Sequence, residues 1–162
     1  MLLYIVRHAW AEQRDPERYP NDDVRPLTGE GKKRFAKVVE RLAEGGFRPT
    51  LIATSPLVRC RQTADIIVKH LPDKAKLVEL DALRPGSDLN ALVEWTAAQQ
   101  DEAIAWVGHA PDVGDLAASL IGDGTAAIRF AKGAVAAVEF DGKPAGEKGQ
   151  LCWLATAKLL GC

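Results

Sequence analysis

The chain has 162 residues, a length that suits one domain over residues 1–162 rather than two. Hydrophobic residues make up 47% and charged ones 27%, which excludes a disordered or fibrous chain. A net charge of −1 gives no general attraction to nucleic acid or to an anionic membrane.

The first apolar run, Leu2–Val6, reads as a strand buried on both faces. It has no basic flank and is too short for a signal peptide or a membrane span, so a soluble cytoplasmic protein is expected. After a Pro-punctuated loop from Gln13 to Pro26, Thr28 caps a predicted helix to about Glu44. Phe35, Val38, Val39 and Leu42 form its apolar stripe, and Gly45-Gly46 ends it. Leu51–Thr54 is the second predicted strand. Ser55-Pro56 then reads as an N-cap with proline at the first helical position, opening a helix to about His70. Lys76–Leu80 is a third strand, Asp88–Ala98 a third helix and Ala103–Val107 a fourth strand. Pro111 opens a fourth helix to about Ile121. Ala134–Phe140 and Gln150–Ala155 flank Asp141-Gly142-Lys143-Pro144 and read as two strands joined by a turn. Four strand–helix units and a late β pair give an α/β class: a three-layer sandwich with helices on both faces of a mostly parallel sheet.

Ligands of open α/β sheets bind outside the carboxyl ends of the strands. Arg7-His8 follows the first strand, Ser55 to Arg59 the second, and His109 the fourth. A single histidine is most often a satisfied structural residue, and His70, near a helix end, is read that way. His8 and His109, however, both end apolar strands at one sheet edge. Arg7 beside a buried strand is costly unless it meets an anion, and Arg59 lies about one turn into a helix whose N-terminus offers free N–H groups. Two arginine forks, a helix start and two histidines suit a phosphoryl group, with the histidines as nucleophile and as proton or hydrogen-bond partner.

These residues carry a resemblance. Arg7-His8, then Ser55-Pro56-Leu57-x-Arg59-x-x-Gln62-Thr63-Ala64, then Gly108-His109, in that order, resemble the histidine phosphatase superfamily, whose fold is phosphoglycerate mutase-like. Arg25-Pro26-Leu27-Thr28-x-x-Gly31 and the short chain are similar to the SixA-like phosphohistidine phosphatases. The resemblance implies that His8 is the nucleophile, phosphorylated transiently, and that Arg7, Arg59 and His109 bind the transferring phosphoryl group. It implies as partner a phosphorylated histidine-containing protein, such as a phosphotransfer domain in signal transduction, with no cofactor.

The departures matter as well. The usual Arg-His-Gly is Arg7-His8-Ala9 here, and Ala9-Trp10-Ala11-Glu12-Gln13 lacks the hydroxyl and amide residues of the sugar-phosphate mutases. Their Glu-Arg-x-Tyr-Gly insertion is missing too. The general acid stays open among Asp22, Asp23 and Asp81, each equally readable as a solvated loop charge. Gly29-Glu30-Gly31-Lys32-Lys33 fails as a phosphate loop, with Pro26 at its first glycine position and Lys33 at its Ser/Thr position. Cys60, Cys152 and Cys162 are odd in number, fit a reducing compartment, and with the histidines lack metal-ligand spacing. Lys32, Lys33, Arg34, Lys37 and Arg41 form either the solvated face of a helix or a docking surface for an acidic partner. The second alternative suits residues 1–70, where 13 Lys and Arg face 9 Asp and Glu, against 8 and 13 in the remainder. Two rivals remain: a small-molecule phosphomonoesterase with the same core, and a non-catalytic phospho-ligand binding module.

Overall fold

The computed structural model describes all 162 residues. Its elements in chain order are β1 (Leu2–Arg7), α1 (Gly29–Glu44), β2 (Leu51–Thr54), α2 (Val58–His70) and β3 (Lys76–Glu79). They continue with α3 (Leu89–Ala97), β4 (Ala103–Gly108), α4 (Asp112–Ile121), β5 (Val135–Glu139) and β6 (Gln150–Ala155). The strands form one sheet in the order β3-β2-β4-β1-β5-β6. The first four run parallel, β5 is antiparallel to β1, and β6 is antiparallel to β5. The expected α/β sandwich with a mostly parallel sheet is the observed architecture.

The continuous apolar run of β1 follows from cover on both faces. Tyr4 and Val6 pack with Phe35, Val38 and Val39 of α1 and with Ala64 and Ile67 of α2. Leu3 and Ile5, on the opposite face, pack with Leu92 of α3 and with Val113, Leu116 and Leu120 of α4. Trp106 of β4 is fully buried, and its indole N–H donates to Thr96 Oγ1 at 3.0 Å, satisfying the one polar atom it takes into the core. No helix is long and apolar enough to cross a membrane.

Local chemistry accounts for most boundaries. Thr28 Oγ1 accepts from Gly31 N at 2.9 Å and caps α1. Strand ends fall within one residue of the sequence expectation. The start of α2 is a correction: the helix opens at Val58 with Leu57 at the cap position and no side-chain cap bond, so Ser55-Pro56 does not begin it. The Ser55 hydroxyl accepts from Leu57 N at a long 3.4 Å and bonds His109 Nε2 at 2.9 Å, so it fastens the turn before the helix to His109. Arg59 therefore sits in the first turn of α2 instead of a turn further in. His70 is bonded to Glu40 Oε1 at 2.9 Å, which supports its structural reading.

The loop between α4 and β5 returns to the end of β1. Gly133 N donates to His8 O at 3.1 Å, and Arg7 N donates to Ala134 O at 3.0 Å. Gly133 has φ 68°, and a Cβ there would lie 3.0 Å from Phe35 Cδ2 and 3.1 Å from Trp10 Cζ3. Side chain and backbone both resist substitution at this point. Gly133→Ala is expected to destabilise the fold by about 1–3 kcal/mol. Gly29→Ala, where a Cβ meets nothing within 4 Å, serves as the control and is expected to leave Tm unchanged or raised. Thermal unfolding of the two variants side by side checks the difference.

Candidate active site

Topology assembles the site before any side chain does. β1 and β4 are neighbours in register, with Arg7 opposite Gly108, and β2 lies on the other side of β4 with Thr54 opposite Val107. The ladder runs on past the strand ends: His8 N donates to Gly108 O and Ser55 N donates to Val107 O, each at 3.0 Å. Three chain segments thus leave the sheet side by side, carrying His8, Ser55 and His109. The two imidazole centroids are 5.5 Å apart, with the rings inclined at 61°.

His8 is buried, and its Nδ1 lies 2.7 Å from Ala9 O. A carbonyl accepts only, so Nδ1 carries the proton and donates, which leaves the lone pair on Nε2. Thr63 Oγ1 accepts from Ala9 N at 3.1 Å and donates to Arg59 O at 2.7 Å, tying the turn after β1 to the first turn of α2. Burial lowers the His8 pKa to about 4, assisted by the positive charges of Arg59, Arg7 and Arg25. The same causes, burial first and then Arg59, lower His109 to about 3. Both rings are neutral at pH 7.

The cations are arranged differently from ordinary surface charges. Arg59 is 5% exposed; its Nη1 donates to Asp22 O at 2.9 Å and pairs with Asp22 Oδ2 at 3.2 Å. Arg7 Nη1 donates to Phe130 O at 2.7 Å. The Nε atoms of both arginines are buried with no protein acceptor. An unmet buried donor costs about 1–3 kcal/mol, and more when charged, unless an acceptor arrives. Both arginines and the two neutral imidazoles line a pocket of about 480 Å³, together with Arg25 and Lys132. A larger cleft of about 790 Å³ lies alongside, lined by Trp10, Arg14, Tyr19 and Arg34. The smaller pocket holds both strand-end histidines with Arg7 and Arg59, and chemistry rather than size selects it as the candidate site.

The structure brings Arg7, His8, Arg59 and His109 together in that pocket. It separates the three carboxylates. Asp22 receives Arg25 Nε at 2.7 Å and Nη2 at 3.2 Å, which hold its carboxyl below the usual range, and it contacts Arg59 from behind. Asp23 and Asp81 both pair with Arg84, at 3.0 and 2.8 Å, and neither lines the pocket. Sequence reasoning missed four participants. Arg25 and Lys132 line the pocket, as does Asp112, whose Oδ2 accepts from Gly86 N at 2.9 Å. Asp112 was within reach of the sequence, three residues after His109 at the start of α4. Ser55, read as a helix cap, holds the His109 ring instead.

This geometry places the chain within a class, and the comparisons agree. The sequence model of the histidine phosphatase superfamily (branch 1) matches residues 3–115, and the chain belongs to that superfamily. It is 36% identical over 124 residues to an uncharacterized protein of Picosynechococcus sp., covering 74% of this chain and 73% of that protein. It is also 36% identical over 70 residues to the serine/threonine-protein phosphatase Pgam5, mitochondrial, of Drosophila yakuba. That match covers 43% of this chain and only 24% of Pgam5. Among solved structures, the protein histidine phosphatase SixA complexed with tungstate superposes with a TM-score of 0.82 at 25% identity, covering 99% of both chains. A candidate SixA phosphohistidine phosphatase from Agrobacterium tumefaciens gives 0.77 at 25% identity, covering 96% of this chain and 97% of that one. The fold is phosphoglycerate mutase-like, and family and neighbours together support phosphatase chemistry.

The lowered histidine pKa has a kinetic consequence. Protonation of Nε2 removes its lone pair, so an activity in which His8 is the nucleophile falls as pH drops through the His8 pKa. With that value near 4, kcat/KM for an aryl phosphate, corrected for substrate ionisation, is expected to stay flat from pH 7 to about pH 5. An acid limb centred near the ordinary histidine value of about 6.5 would contradict the described desolvation.

Proposed function

We propose that the protein is a phosphohistidine phosphatase working through a phosphorylated His8. The observation that carries the reading is that Arg7 and Arg59 line one pocket with a neutral His8 whose lone pair is on Nε2. In the first step the substrate's phosphoimidazole reacts in its ring-protonated form: His8 Nε2 forms a bond to phosphorus while the bond from phosphorus to the substrate nitrogen breaks, and the imidazole leaves neutral with the proton it already carried. Water then attacks the phosphorus, the His8 Nε2–P bond breaks, and inorganic phosphate is released. The net change is hydrolysis: the water's oxygen and protons leave on the phosphate, and His8 returns to its neutral Nδ1–H form.

Phosphoryl transfer depends on positioning and on stabilising charge spread over the equatorial oxygens. Arg7 and Arg59 supply donors fixed before substrate arrives, with Arg59 oriented by Asp22 and Arg7 by Phe130 O. Tungstate, bound by the similar SixA structure, is a tetrahedral oxyanion of the shape such donors fit. His109, held by Ser55, adds a further polar contact to the phosphoryl group. A pure binding module gains nothing from a desolvated neutral imidazole at the anion's position, so an enzyme is the better reading.

The leaving group decides between phosphohistidine and ester substrates. An alkoxide needs a proton in the transition state, a contribution worth about 10²–10⁴-fold, whereas imidazole leaves with a conjugate-acid pKa near 6.5. Asp22, Asp23 and Asp81 are all engaged by arginines, a poor state for a proton donor. Asp112 is the one observation favouring the small-molecule phosphomonoesterase, because its carboxyl lines the pocket. The expected order of kcat/KM is phosphohistidine above aryl phosphate above alkyl phosphate, with Asp22→Asn, Asp23→Asn, Asp81→Asn and Asp112→Asn preserving that order. Equal hydrolysis of alkyl esters, lost selectively in Asp112→Asn, would transfer the assignment to the phosphomonoesterase.

A further inference from the structure

A second groove of about 530 Å³ opens beside the catalytic pocket and shares Arg7 and Lys132 with it. Its charged lining is Arg7, Arg34, Arg129, Lys132 and Lys158, with no carboxylate among its lining residues. None of these five takes part in an ion pair with an Asp or Glu, whereas Arg25, Arg41, Arg48, Arg59, Arg61 and Arg84 all do. Like charges gathered with no Asp or Glu among them repel, and Arg129 lowers the pKa of Arg7, after burial. The fold nevertheless holds them together. Arg7 Nη1 clamps the Phe130 carbonyl and His8 O takes the Gly133 N–H, so the loop carrying Arg129 and Lys132 is fastened to the end of β1. Arg34 is stacked 4.3 Å over the Trp10 ring, its Nη2 donates to Cys162 O at 2.9 Å, and its Nε is buried with no acceptor. Arg34 thus turns away from the other basic residues of α1, of which Lys32, Lys33 and Lys37 are exposed and Arg41 pairs with Glu44.

We propose that this groove docks the acidic flank of the protein that presents phosphohistidine to His8, a step that rests on the phosphohistidine reading above. Charge complementarity selects the occupant. Arg129 and Lys132, on the loop before β5, and Lys158, near the chain end, are exposed cations lining this groove, and Arg129 and Lys158 lie outside the catalytic pocket. A groove lined by five basic residues and no Asp or Glu is matched by the several carboxylates of an acidic protein surface. On a chain of net charge −1, such a patch steers an acidic partner in and fixes its orientation over the pocket. The inference places the docking cations next to the reaction and leaves the lysines of α1 as a solvated face.

The test uses two synthetic peptides phosphorylated on a central histidine, one flanked by Asp and Glu and one by Asn and Gln, with phosphoramidate as the small substrate. In the wild type, kcat/KM is expected to favour the acid-flanked peptide about tenfold at low salt, and about 0.5 M NaCl should erase the preference. Arg129→Glu with Lys158→Glu should abolish it while keeping phosphoramidate turnover within about twofold, and Arg129→Gln with Lys158→Gln should give an intermediate loss. Both positions are exposed, and matching circular dichroism and Tm establish that the variants fold. No preference in the wild type, or one that survives both double variants, would overturn docking while leaving the phosphatase reading intact. Failure to hydrolyse either peptide or phosphoramidate, with esters still cleaved, would overturn the functional reading and docking together. Groove-dependent competition by fructose 1,6-bisphosphate without any peptide preference would assign the groove to a second phosphate group and likewise overturn the proposal.

Discussion

Desolvated positive charge at the carboxyl edge of the sheet is the constraint on which the rest of the site depends. Arg59 and part of Arg7 are removed from water, and each keeps a buried Nε–H that no protein atom accepts. The protein tolerates this because other atoms of the same guanidiniums are tied to Asp22 and to Phe130 O, so position is secured while binding capacity remains. Burial, assisted by these positive charges, keeps His8 and His109 neutral. One arrangement therefore does two things: it gathers positive charge at the pocket, and it keeps the proposed nucleophile His8 in its neutral form.

The sheet order makes this arrangement inexpensive in backbone terms. β4 lies between β2 and β1, so Ser55, His109 and His8 leave adjacent strands at one level, with main-chain hydrogen bonds continuing beyond the last residues. Ser55 then orients His109, and Thr63 joins the His8-Ala9 turn to α2. The long loop after α4 is held against the same edge by Gly133, whose positive φ lets the chain pass Trp10 and Phe35. Each supporting bond is made by a short polar side chain or by backbone, which suits parts that hold their places while phosphate enters and leaves.

Much of this was legible in the amino-acid order, for identifiable reasons. Leu2–Val6 and Ala103–Val107 read as doubly covered strands because parallel sheets bury both faces. Arg7-His8, Arg59 and His109 were found because their strands end where ligands bind. Ser55 was misread because serine before proline has the local chemistry of a helix cap, and only tertiary structure supplies the competing partner His109. Lys132, Arg129 and Lys158 carried no signal, since each is an isolated cation in a loop or near the chain end until the loop folds back onto Arg7. Asp22 was found without its role, because sequence separation hides that Arg25 and Arg59 converge on it.

The central claim is that His8 Nε2 carries the phosphoryl group during turnover. Its most direct measurement is rapid quench into alkali during turnover of a phosphohistidine peptide, the alkali preserving the P–N bond, followed by mass-spectrometric mapping and phosphorus NMR of the trapped enzyme. The account expects one phosphate per chain, on His8, with the chemical shift of an Nε2-linked phosphohistidine. A phosphate on His109, or continued turnover with no trapped phosphate under conditions where the second step is slowed, would contradict it.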